Sequence, residues 1–200
     1  MHQQLATTVG PAAVMSIIRI QKARIKDCQL LAEFTEQRDQ DAPPRSFTLT
    51  SPELIHPDLQ HRFERLVPHM CLLCEQLTET PDYWPDDEAQ ELPAHFENFR
   101  VTGLSIGRNG GGVTLIGQRH LSGNRVLNLI SPYVAYDAET GSEYGYAGLL
   151  ESAVLDALSE VEAALRGKHR TAGRQLDFFE SVSGFTAIDE PFIPLTVSHA

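Results

Sequence analysis

Apolar residues recur at every second position in some stretches of this chain and at every third or fourth in others, and the alternation between these periods predicts its elements. Ile17-Ile18-Arg19-Ile20 and Gln29-Leu30-Leu31-Ala32-Glu33-Phe34-Thr35 are rich in strand formers and are parted by the polar Lys26-Asp27, which predicts a hairpin. After the Asp41-Ala42-Pro43-Pro44 loop, Ser46-Phe47-Thr48-Leu49-Thr50 predicts a third strand. The period then changes. Leu59, Phe63, Leu66, Val67, Met70, Leu73, Cys74 and Leu77 form one apolar stripe at helical spacing. Pro57 suits the first turn of that helix and Asp58 its positive end, whereas Pro68 should kink or divide it.

Three further strands are predicted at Phe99 to Ile106, Val113 to Leu121 and Arg125 to Ile130, with turns at Gly107 to Gly112 and Ser122-Gly123-Asn124 that accept positive φ. In the middle strand Val113, Leu115, Gly117, Arg119 and Leu121 share one face, and Thr114, Ile116, Gln118 and His120 the other. A last helix, from about Tyr144 to Arg166, is expected to bury Leu149, Leu150, Ala153, Val154, Ala157, Leu158, Val161, Ala164 and Leu165, and Gly167 stops it.

The order β-β-β-α-β-β-β-α describes an α+β domain with an antiparallel sheet of five or six strands and two main helices. It fits an OB-like barrel or an open sheet backed by the helices. The domain is expected over residues 16–170, with a loose arm at 1–15, an acidic loop at 78–97 and a C-terminal tail at 171–200. No internal repeat is evident.

Composition narrows the class. The chain has 200 residues, 42% hydrophobic and 22% charged, which is ordinary for a globular protein. No apolar run approaches the length of a membrane span, and residues 1–16 lack the pattern of a signal peptide, so a cytoplasmic protein without a membrane partner is expected. Cys28, Cys71 and Cys74 are too few and too unevenly placed for a disulfide framework.

Candidate chemistry is sparse. Cys71-Leu72-Leu73-Cys74 with His61 and His69 nearby suggests a zinc site, but at about 100° per residue the histidines point away from the cysteines, so buried, inert thiols are expected and no metal. Gly107 to Thr114 has the glycines of a phosphate loop, yet Val113 stands where the lysine belongs and a strand follows. The scattered histidines and carboxylates have no catalytic spacing. Neither a cofactor nor an enzymatic activity is expected.

Charge distribution is more informative. The formal net charge is -11, and residues 78–97 hold seven acids without a lysine or arginine. Against that background residues 98–136 hold four arginines and no acid, and residues 1–26 hold four cations and no acid. Arg19, Lys22, Arg24, Arg100, Arg108, Arg119 and Arg125 are therefore candidate phosphate contacts, with Phe99 and Tyr133 as candidate stacking platforms for single-stranded DNA. Pairing with nearby acids would instead make these cations a solvated sheet surface. A different class is an acidic protein-interaction module, such as a DNA mimic that inhibits a host defence protein; a third is an enzyme assembled from distant residues. Ile188-Asp189-Glu190-Pro191-Phe192 is faintly similar to the acidic, phenylalanine-bearing tails of single-strand binding proteins.

Val101 to Gly107, Gly112 to Gly117 and Val126 to Leu129 with Ser131-Pro132 resemble a small family of uncharacterised bacteriophage and prophage proteins; His56-Pro57-Asp58-Leu59 and Leu72-Leu73-Cys74 are similar too. The resemblance covers roughly residues 16–166 and carries folding residues, not catalytic ones. It implies a phage origin and the host cytoplasm. With the charge pattern, it leads to the expectation of a non-catalytic phage protein of replication or recombination, which binds single-stranded DNA and meets host or phage proteins through its acidic segments and tail.

Overall fold

The computed structural model describes residues 16–38, 41–77, 92–108, 110–136 and 144–170. The proposed arm, tail and most of the acidic loop, residues 78–91, lie outside them; Leu92 to Glu97 are described and include a short 3-10 turn at Ala94–Phe96.

Among the described residues seven strands form one antiparallel sheet: β1 (Ile17–Lys26), β2 (Gln29–Gln37), β3 (Arg45–Leu54), β4 (Phe99–Ile106), β5 (Gly112–Leu121), β6 (Arg125–Ile130) and the short β7 (Val134–Ala135). Their order is β3-β2-β1-β4-β5-β6, with β7 pairing β5 beyond the end of β6. Two three-stranded meanders thus meet at β1 and β4. Because β3 and β6 are edges and no pairing joins them among the described residues, the sheet is open and backed by helices. Asp27 and Cys28 both take positive φ, 51° and 60°, in the two-residue turn between β1 and β2. That conformation matches strand twist, although neither residue is glycine.

The first helical stripe is divided as Pro68 requires. Its missing N–H is the donor that would bond to the Glu64 carbonyl, and α1 (Pro57–Glu64) ends there. After a turn at Arg65 and Leu66, α2 (Val67–Leu73) begins with Pro68 in its first turn, where no donor is required. Glu75 then takes φ 53°, and the N–H groups of Glu75 and Gln76 bond to Leu72 and Cys71 at 3.0 and 2.8 Å. This closure turns Gln76 back toward the sheet. The last helix, α3 (Ala147–Leu165), starts three residues later than its apolar period predicts and ends at Gly167, φ 107°.

All three helices lie on one face of the sheet. Ala23, Ile25, Leu30, Ala32, Leu104 and Leu115 project from the strands to meet Leu59, Phe63, Met70, Val154 and Val161, all buried. Gly117 makes the closest approach possible: a methyl group there would strike Met70 Sδ and lie 2.6 Å from the Arg100 carbonyl. The helical layer is acidic, but four of its acids are paired with cations of the same layer. Asp156 lies 3.5 Å from Arg62 and 3.6 Å from Arg65, Lys168 bridges Asp58 and Glu160 at 2.7 Å each, and Arg166 meets Glu162 at 2.7 Å.

A cationic sheet face opposite the helices

Strand register assigns every β residue to a face, since partners across an antiparallel ladder point the same way. Arg24 pairs with Leu31 and Gly103, one position out of phase with the buried Ala23, Ala32 and Leu104, so it points away from the helices. Lys22 and Lys26 share that side. Arg19 has the opposite sequence parity, and in an unbroken strand it would point to the helices. A bulge between Ile20 and Lys22 adds a residue and returns Arg19 to the open face, opposite Thr35.

Strand β4 repeats the device. A register shift between Val101 and Gly103 lets Arg100, opposite Gln118, share the open face with Gly103, opposite Ile116. Glycine matters at that point, because the Arg24 side chain lies across it: a Cβ on Gly103 would be 2.8 Å from Arg24 Cγ. The open face of the sheet therefore gathers Arg19, Lys22, Arg24, Lys26 and Arg100 against one acid of the described strands, Glu33. Lys22 meets Glu33 at 3.2 Å, with both side chains substantially exposed. Arg19, Arg24, Lys26 and Arg100 have no ion pair among the described residues. Lys26 was not among the expected contacts, although the alternation Lys22, Arg24, Lys26 was there to be read.

Of the remaining candidates only Tyr133 shares the open side; Phe99, Arg119 and Arg125 face the helices and Arg108 sits at a hairpin tip. Arg119 and Phe99 are register partners in phase with Gly117 and Val101, which places both on the helix side. There Arg119 donates to Gln76 Oε1 at 3.1 Å and its guanidinium sits 5.1 Å from the Phe99 ring centre, so the pair secures the end of α2. Arg125 shares that side through its pairing with Leu121, and its Nε donates to the Ser122 carbonyl at 3.2 Å across the turn. Arg108 is exposed at the β4–β5 hairpin, and Tyr133 lies against Gly107 and Gly112 of the same hairpin. Gly107 and Gly112 continue the open-face parity of Ser105 and Thr114, so Tyr133, which lies over both and is exposed, is an aromatic ring on the helix-free side, beside the hairpin.

The sheet also has a gap. The β1–β4 ladder joins only Lys22 to Ser105, Ala23 to Leu104 and Arg24 to Gly103, after which the strands part. A cleft of about 1290 Å³ opens there. It is lined on the cationic side by Arg19, Lys22, Glu33, Thr35 and Ser105, and toward α3 by Ile18, Ile20, Ile106, the buried Val154, Leu158 and the exposed Leu155. Tyr136 also lines it, with a hydroxyl that is buried and has no hydrogen-bond partner among the described residues.

Two buried titratable groups, Cys71 and His69, belong to the core packing. Cys71 is fully buried, and desolvation together with neighbouring Cys74 pushes its thiol up to about 12, which removes thiolate chemistry near neutral pH. His69 is buried on α2, its Nδ1 2.8 Å from the Tyr144 hydroxyl, and desolvation lowers its pKa to about 4. Among the described residues no cluster of three or more His, Cys, Asp or Glu side chains is placed to hold a metal ion, and no helix is long and apolar enough to cross a membrane. No family model, no curated protein and no solved structure matches the chain.

Proposed function

We propose that this protein binds nucleic acid, specifically single-stranded DNA, through the helix-free face of its sheet, without catalysing a reaction on it. The observation that carries this reading is the gathering of Arg19, Arg24, Lys26 and Arg100, without ion pairs among the described residues, on one side of a protein whose formal charge is -11. Asp58, Asp156, Glu160 and Glu162 of the helical layer are matched by cations of that layer, which limits how far it cancels the field on the opposite face. Alternate residues on a strand are about 7 Å apart, comparable to the step between successive phosphates along an extended strand. Lys22, Arg24 and Lys26 form such a row.

A single strand suits this surface better than a duplex. No helix or ribbon projects from that face among the described residues to enter a groove, whereas a flexible strand can follow a twisted sheet. Phe99 faces the helices, which leaves Tyr133 beside the Gly107 to Gly112 hairpin as the exposed ring on that side, and attraction to phosphates supplies most of the affinity. The setting that the phage resemblance implies is replication or recombination in a host cell, with the acidic segments free to meet other proteins.

Titration of a fluorescently labelled single-stranded oligonucleotide at 50 and 200 mM salt tests the reading. Binding at low salt that weakens steeply at the higher concentration supports it. An absence of binding at 50 mM salt rejects it.

A further inference from the structure

The cleft between β1 and the β4–β5 hairpin is continuous with the cationic face, because Arg19, Lys22 and Ser105 belong to both. It is polar on the cationic side and largely apolar toward α3. Walls from Ile18 and Ile20 of β1 oppose Val154, Leu155 and Leu158 of α3. A purely electrostatic phosphate track needs no such cavity. An unstacked nucleobase does, since its flat faces are apolar and its edges carry donors and acceptors.

Two polar features suit the edge of a base. Tyr136 brings a buried hydroxyl that has no hydrogen-bond partner among the described residues, a group suited to bond to the edge of a base. Glu151 lines the same cleft and is able to accept from an exocyclic amine or ring N–H. At the rim, Arg19 and Arg108 have no ion pair among the described residues, which leaves both free for the flanking phosphates. The other two acids of the lining, Glu33 and Glu162, are already paired with Lys22 and Arg166.

We infer that this cleft is a nucleotide pocket: a single strand on the cationic face turns one base through the gap between β1 and β4 and seats it against α3. The inference rests on the nucleic-acid reading and adds a source of single-strand preference, because a base held in a duplex must first be unpaired and unstacked to enter.

Comparing an ordinary single-stranded oligonucleotide with an abasic one of equal length and phosphate number tests this on the native protein. The ordinary strand should bind at least roughly 10-fold tighter at the same salt, with a similar salt dependence. A 2-aminopurine placed in the strand should change its emission on binding as it leaves the stack. Ser159 is exposed on α3 and lines the cleft, so Ser159→Trp fills the pocket from a tolerant helix position. That variant, checked for an unchanged melting transition, should bind both strands with the abasic affinity. Equal affinities of the native protein for the two strands, with a steep salt dependence retained, would overturn the pocket and leave the cationic face standing. Failure to bind either strand at low salt would remove both.

Discussion

Gly117→Ala is the sharpest test of the packing that keeps the helices on one side of the sheet. Gly117 faces the core from β5, where an added methyl group would strike Met70 Sδ, lie 2.8 Å from Met70 Cε and approach the Arg100 carbonyl to 2.6 Å. Met70 is fully buried, and the carbonyl belongs to the paired strand β4, so neither obstacle can move away cheaply. Overpacking of this kind costs about 1–3 kcal/mol, and contact with backbone as well as side chain puts the expectation at the upper end, near 3 kcal/mol. For a protein of this size that corresponds to a fall in Tm of roughly 6–12 °C. Met70→Ala alone should cost about 2–5 kcal/mol. In the double variant the new methyl group occupies space that methionine vacates, so the two costs should sum to at least about 1 kcal/mol less than their separate values predict. Urea unfolding of the four proteins measures the cycle. A Gly117→Ala variant within about 0.5 kcal/mol of the native protein, or strictly additive costs, would refute the proposed seating of α2 on β5.

Two further outcomes follow from buried polar groups. The Ser131 hydroxyl accepts from the Leu115 N–H at 2.9 Å and donates to the Pro132 carbonyl at 2.8 Å, so Ser131→Ala strands a buried amide and should lower the unfolding free energy by about 1–3 kcal/mol, with Ser131→Thr recovering most of it. The folded-state pKa of His69 is lowered from 6.5 to about 4, so the unfolded chain binds the extra proton first as pH falls. Its contribution is intact above pH 6.5 and is lost progressively down to about 4, a loss on the order of 3 kcal/mol. Urea midpoints measured across that window should fall steeply in the native protein and less steeply in His69→Phe; parallel profiles would contradict the assignment.

How far the residues alone disclosed this molecule depends on how local each signal was. The strands β4, β5 and β6 and the stripe of the divided helix follow from periodicity and turn chemistry, which neighbouring residues encode, and Pro68 marked the division directly. The short strand β7 has only Val134 and Ala135, too little for a period to show. The composition of the cationic face was only half legible. Alternation in β5 already placed Arg119 with Leu115 and Gly117, so its turn toward the helices was there to be read. Arg19 and Arg100 reach the open side only through bulges, which depend on pairing with a distant strand and leave no mark in a single sequence. The cleft arises from a ladder that ends early, and nothing in either strand by itself announces where the pairing stops.

The measurement that bears most directly on the central claim compares two sets of substitutions by the salt dependence of oligonucleotide binding. If the four open-face cations without ion pairs each neutralise one phosphate, the logarithm of affinity should fall with the logarithm of salt with a slope of about -2.8 for a single strand, or roughly 50-fold between 50 and 200 mM. Replacing Arg24, Lys26 and Arg100 together by alanine should reduce that slope to about -0.7, whereas replacing Arg119 and Arg125 on the opposite side should leave it unchanged. A slope that is lowered by the second set and untouched by the first would contradict the account.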